Sequence, residues 1–181
     1  MTDDNNISCG IKLRSFLIPA FVAGFVILDQ FTKRLIESSF VLGERIPVIP
    51  GFFDLTYIKN SGLAFGLFSQ VDSVWIQRGF MAFTIIALII IVTLYRSMLS
   101  EERIAKISLV MIGTGALGNL ADRIRDGGVT DFLLFFIGRY HWPAFNVADS
   151  LITVGVVFLS YAMIFLGAIS SRDLSDSDSR K

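Results

Sequence analysis

A chain of 181 residues that is 53% hydrophobic and only 18% charged falls outside the range of ordinary soluble domains, which average about 25% charged residues. Its 16 basic and 16 acidic groups cancel, which removes the electrostatic case for a nucleic-acid partner. The single cysteine, Cys9, excludes an internal disulfide framework.

Residues 1–13 precede the first apolar window and are read as a cytoplasmic segment. Arg14 and Lys33 enclose 18 residues interrupted only by Asp29, close to the roughly 17–25 residues that a helix needs to cross the hydrocarbon core. This predicts a first membrane helix over about 14–35. Lys12 and Arg14, with the apolar residues after them, imitate a secretory leader, but no small-x-small cleavage site precedes "LDQFTK". An uncleaved helix is therefore expected.

The next stretch, "VLGERIPVIPGFFDLTYIKNSGLAFGLFSQ" (41–70), mixes β-branched and aromatic residues with Gly43, Pro47, Pro50 and Gly51. That pattern predicts two short strands and a turn, a cradle over about 41–65. It is too apolar for a free loop and is expected against the membrane surface, as a packed cap or as a lid over a site. Gly66 to Ser73 is expected to form a short interfacial helix.

A second membrane helix is predicted over about 75–95, where Arg78 and Arg96 enclose 17 uncharged residues. A third, over about 104–122, is short and rich in Gly113, Thr114, Gly115, Ala116 and Gly118, small residues that let helices pack closely in a bilayer. A fourth, over about 147–169, lies in the uncharged stretch Ser150 to Ser171. Residues 171–181 read as a polar cytoplasmic tail. The fold class is thus an all-α membrane protein, four helices with a small β-cradle and a short interfacial helix on the outer face. Lysine and arginine counts leave the orientation tied, eight against eight.

Polar side chains gather at one end of these helices. Asp29, Gln30 and Lys33 end the first, Asn119, Asp122 and Arg123 end the third, and Asn146 and Asp149 begin the fourth. Asn60 lies in the cradle and Asp131 in "GGVTDFLLFFIG", between the third and fourth helices. Asp29 and Lys33 are spaced to pair on one helix face, and Asn119 and Arg123 share a face likewise. Singly, each is explained by snorkelling or capping. As a set on one membrane face they read as a site.

Five stretches, "DQFTK" (29–33), "NSGLAF" (60–65), "GNLADR" (118–123), "VTDF" (129–132) and "PAFNVADS" (143–150), together resemble bacterial lipoprotein signal peptidase, or signal peptidase II. The resemblance spans about 14–170 and implies one four-helix peptidase domain. It further implies an aspartyl endopeptidase that removes the signal peptide of prolipoproteins before a diacylglyceryl-modified cysteine. Its place would be the bacterial inner membrane, with both termini cytoplasmic and the site near the outer face, and its partners the prolipoproteins and membrane lipids. A monomer without cofactor or metal is expected.

The chemistry has its own logic. Two adjacent carboxylates share one proton; the ionised one activates a water and the protonated one serves the carbonyl oxygen. His141 is the only histidine, which leaves a Ser-His-Asp set resting on one residue. Asp29, Asp122, Asp131 and Asp149 are the candidates. Asp122 is followed by Arg123 and Arg125, which suits a structural ion pair, whereas Asp131 and Asp149 have apolar or small neighbours. The resemblance also matches Asp131 and Asp149 to the catalytic pair, with Asp122 in reserve. By the same matching Asn60 and Arg123 would contact substrate backbone, and Asn119 and Asn146 would orient the dyad. Asp29 and Lys33 would tie the first helix to the site, and Gly118 and Ala148 would permit close packing. A small transporter or proton-conducting protein, or a non-catalytic scaffold, are the competing readings. Neither an internal repeat nor polar residues at mid-membrane are present to favour transport.

Overall fold

The computed structural model describes residues 3–61, 74–99 and 102–166, with side chains from Phe16 onward. Helix α1 runs Asp3–Ser39, β1 Arg45–Ile49, β2 Phe53–Asn60, α2 Val74–Ser97, α3 Arg103–Asp126, β3 Val129–Ile137, β4 Tyr140–His141 and α4 Val147–Tyr161, the last continued by a π-helical turn at Ala162–Leu166. The four helices include windows long and apolar enough to cross a bilayer: Phe16–Ser39, Val74–Ser97, Arg103–Asp126 and Val147–Phe165. Each differs from the sequence expectation mainly at its ends. The expected interfacial helix at Gly66 to Ser73 lies outside the described residues, as do the last residues of the cradle.

The bundle is organised around α3, which packs against α1, α2 and α4. Its buried face carries Ala105, Ser108, Gly113, Thr114, Gly115, Ala116 and Gly118. Ser108 and Thr114 return their hydroxyls to the carbonyls of Ile104 and Val110, so burial leaves no hydroxyl proton unpaired. The small residues set the α3–α4 distance. A Cβ on Gly155 of α4 would lie 2.9 Å from the Ser108 carbonyl oxygen and 2.7 Å from Ile112 Cγ1. Large apolar side chains such as Phe31, Leu35, Phe83, Ile86 and Phe158 point outward. That is the arrangement a lipid solvent requires.

The sheet is larger than the sequence pattern foretold. Besides β1 and β2, it recruits the segment between α3 and α4, in the order β1-β2-β3-β4, all antiparallel. The run "VTDFLLFFI" gives no alternation, because β3 is buried on both faces at its start, and such a strand reads as a continuous apolar run. Phe53, Phe135 and Phe145 stack along its distal half, with centroids 4.6 and 5.8 Å apart. Gly127, at φ 75°, caps α3 in the left-handed region and turns the chain straight into β3.

Gly155→Val should therefore force α4 away from α3. Overpacking of this kind costs about 1–3 kcal/mol. The purified variant should melt at a lower temperature in detergent than the parent, and an unchanged melting point would contradict the packing described.

Candidate active site

The polar ends of α1, α3 and α4 meet in a buried network. Lys33, 0% exposed, donates to Asp29 Oδ2 at 2.8 Å and Asn119 Oδ1 at 3.0 Å, and pairs with Asp122 Oδ2 at 2.8 Å. An ammonium has three protons, and all three acceptors are in place. Gln30 adds a bond to Asp122 Oδ1 at 2.8 Å and another to the Gly118 carbonyl at 3.1 Å. Asp122 thus takes its cation from α1. Arg125 stands 3.8 Å away, and the adjacent Arg123 turns elsewhere. Asp29 Oδ1 accepts the Ala148 amide at 2.9 Å, which docks α4. Gly118 makes this approach possible, since a Cβ there would lie 2.6 Å from Asp29 Oδ2 and 3.2 Å from the Ala148 Cβ.

Lys33 also decides how Asn119 is presented. Its ammonium takes the amide oxygen, so the Asn119 NH₂ is left to donate to Asp149 Oδ1 at 2.7 Å. Asn146 is fixed in a similar manner. As N-cap of α4 its Oδ1 accepts the Asp149 amide at 2.9 Å, the usual duty of an asparagine there. Its Nδ2 then faces Asp131 Oδ1 and donates at 2.7 Å. Phe145, just before the cap, is laced to β3 by bonds to the backbone of Phe132 and Leu133, which brings Asn146 beside Asp131. Asn60 closes the other side, donating to Asp131 Oδ2 at 2.9 Å.

Asp131 is 2% exposed. Burial first, and then the Asp149 charge, push its carboxyl up to about 7 from the ordinary 3.8, against the pull of Asn60, Asn146 and Lys33. Arg123 is half-buried near both carboxylates, 6.0 Å over the Phe80 ring. One of its η nitrogens reaches the Asn119 carbonyl oxygen at 3.4 Å, and its Nε is buried without a hydrogen-bond partner among the described residues.

Residues 21–165 match the family model described as signal peptidase (SPase) II. The chain belongs to the signal peptidase II family. The lipoprotein signal peptidase of Desulforapulum autotrophicum is 49% identical over 142 residues, 77% of this chain and 86% of that protein. The lipoprotein signal peptidase of Syntrophus aciditrophicus is 47% identical over 150 residues, 82% and 91% of the two. A solved bacterial membrane enzyme, obtained by the in meso method at 2.3 Å resolution, superposes with a TM-score of 0.71 at 32% identity over 92% of this chain and 93% of its own. Membership makes the protein a transmembrane aspartic endopeptidase.

The residues singled out in the sequence all lie in this one region. Asp29, Lys33, Asn60, Gly118, Asn119, Asp122, Asp131, Asn146, Ala148 and Asp149 are joined by direct contacts, with Arg123 reaching them through the Asn119 carbonyl. Sequence reasoning gave no role to Glu37, Lys59, Asp126 or Thr130, which surround the network. Glu37 had a signal: it continues the four-residue spacing of Asp29 and Lys33 along one helix face.

Lys33→Met would leave Asp29 without its cation and Asp122 with only the more distant Arg125, a loss of about 3–5 kcal/mol for a buried pair broken from one side. Membrane abundance and melting temperature should both fall. Asp122→Asn should fall less, because Asp29 keeps its cation and one oxygen remains at position 122 to accept from Lys33. Wild-type melting of Lys33→Met would refute the assigned network.

Proposed function

We propose that Asp131 and Asp149 form the catalytic dyad with which this signal peptidase II removes signal peptides from lipoproteins. The supporting observation is Asn146, whose amide nitrogen donates to the Asp131 carboxylate while its oxygen caps the Asp149 backbone amide, so that one side chain ties the Asp131 carboxylate to the backbone that carries Asp149. Asp131 is the member that keeps the proton, since burial and the Asp149 charge both raise its affinity for it. Asp149 then takes a proton from water as the oxygen attacks the scissile carbonyl carbon. Asp131 gives its proton to the carbonyl oxygen. When the tetrahedral intermediate collapses, the C–N bond breaks, the leaving nitrogen takes up the proton now on Asp149, and a hydroxyl of the intermediate returns its proton to Asp131, which restores the starting state. Arg123 Nε and the Asn60 side chain serve the substrate backbone on either side.

The substrate is the diacylglyceryl-modified prolipoprotein, cut before the lipidated cysteine, the lipid entering sideways from the bilayer. Each buried CH₂ of an acyl chain contributes about 0.8 kcal/mol, which fixes the cleavage site at the depth of the dyad. The enzyme sits in the inner membrane as a monomer, both termini cytoplasmic and the site at the outer face. Four of the eight basic residues assigned outside, Lys33, Arg45, Lys59 and Arg125, are spent in ion pairs. Discounting them breaks the tied charge count in favour of this orientation. A reporter fused after Lys181 should accordingly be cytoplasmic and one inserted at Gly51 external; the opposite result would put the site on the wrong side.

The test is cleavage of a purified, lipid-modified precursor. Asp131→Asn and Asp149→Asn should each remove nearly all turnover, and the double variant should be hardly worse, as groups that act as a unit are non-additive. The unmodified precursor should be cut far more slowly. Asp131 loses its proton as pH passes about 7, so kcat/KM should decline above that point, about tenfold per pH unit. The linked stability has the same sign. The folded form retains a proton that the unfolded chain has released between 3.8 and about 7, so this group's contribution falls as pH rises through that window. Full activity of Asp131→Asn, or a flat profile above pH 7, would overturn the assignment.

A further inference from the structure

A second cluster of charges stands behind the strand pair that carries Asp131. Its hub is Glu37, near the C-terminal end of α1. One oxygen, Glu37 Oε1, accepts from Arg125 of α3 at 2.5 Å, from the Thr130 hydroxyl of β3 at 2.6 Å and from Lys59 of β2 at 3.2 Å. Asp126 closes the cluster, accepting from Lys59 and from Arg125 Nε, each at 2.7 Å. Glu37, Lys59, Arg125 and Asp126 all lie outside the five stretches that carry the family likeness.

The register gives the cluster its meaning. Lys59 and Thr130 are direct partners across the β2–β3 ladder. Successive side chains alternate between faces of a sheet, so Lys59 and Thr130 point to Glu37 while Asn60 and Asp131, one residue along each strand, point to the dyad. The backbone entering β3 is Gly127-Gly128, with Gly127 in the left-handed region. Two glycines give this end of the strand the widest conformational freedom available. Three donors converging on Glu37 remove that freedom from the side opposite the chemistry.

We propose that Glu37 is a positioning residue of the peptidase. Through Thr130 and Lys59 it fixes the height at which the strand pair presents Asp131 and Asn60, and it rests on the dyad reading above. Misplacement by about 1 Å costs on the order of a hundredfold in rate, so a loosened strand shows first in turnover. Burial sustains the Asp131 proton; a strand free to move lets water reach the carboxyl and lowers its affinity. The charged groups facing Asp131 are Asp149 from α4, Arg123 from α3 and Lys33 from α1; those facing Glu37 are Lys59 and Arg125.

The experiment uses purified full-length enzyme and the lipid-modified precursor, with Glu37→Gln, Thr130→Val and the double variant, and Asp131→Asn alongside. Thr130→Val changes no charge and so separates position from field. Both single variants should lose at least about tenfold in kcat with KM within about twofold. Their alkaline limb should move to lower pH, and the double variant should be no slower than Glu37→Gln alone. Wild-type kcat in Glu37→Gln would overturn the proposal. So would a loss of activity with the alkaline limb unmoved and multiplicative effects in the double variant, the mark of general destabilisation. The control separates the two ideas. Inactive Asp131→Asn with active Glu37→Gln refutes only the positioning role, whereas active Asp131→Asn refutes the dyad and this role with it.

Discussion

The ammonium of Lys33 is the constraint on which the other contacts depend. A lysine with no exposed surface in a membrane protein requires an acceptor for every proton, and here one comes from its own helix and two from α3. That demand brings α1 and α3 into register without any hydrophobic driving force, which a lipid solvent does not supply between helices. It also orients Asn119, and through Asn119 the Asp149 carboxylate. The same centre that joins the bundle therefore sets a group in the site.

The aspartates divide by the company they keep. Asp29 and Asp122 sit against a cation, Asp131 against two amides, and Asp149 between an asparagine and a helix N-terminus. Four carboxylates within one region of a membrane protein would repel each other strongly if their surroundings were alike. Here the difference is built by rigid partners. A capped helix start supplies Asn146, and a paired strand supplies Asn60. This is the environment-based separation of roles that acid–base catalysis needs.

Much of this was legible in the sequence. Four windows nearly free of charge gave the four helices, because the bilayer requirement is a matter of length and composition. The candidate site residues were visible as polar groups where lipid forbids them, and the five matching stretches pointed to one family. Strand β3 was not visible. Its inner half is buried on both faces, so the alternation that betrays a strand is missing from "VTDFLL". The partner of Asp122 was only partly legible from proximity in sequence: Arg125 does lie 3.8 Å away, but the closer cation is Lys33, distant in the chain. The Glu37 cluster was hidden because its donors come from three separate elements, and pairing across elements leaves no trace in local spacing.

The one-turn spacing of Asp29 and Lys33 also bears on how the protein is made. A membrane protein is inserted from its N-terminal end, so α1 enters the bilayer before α3 has been synthesised. At that moment Asp122 and Asn119 are absent. The bond between Asp29 and Lys33, 2.8 Å within a single helix, lets the two charges enter as a neutral pair, where either alone would oppose insertion by a few kcal/mol. Lys33 still has two protons to place, and α3 arrives with the two acceptors that take them. The first helix thus carries its own provisional counter-ion across the interval between its insertion and the completion of the bundle.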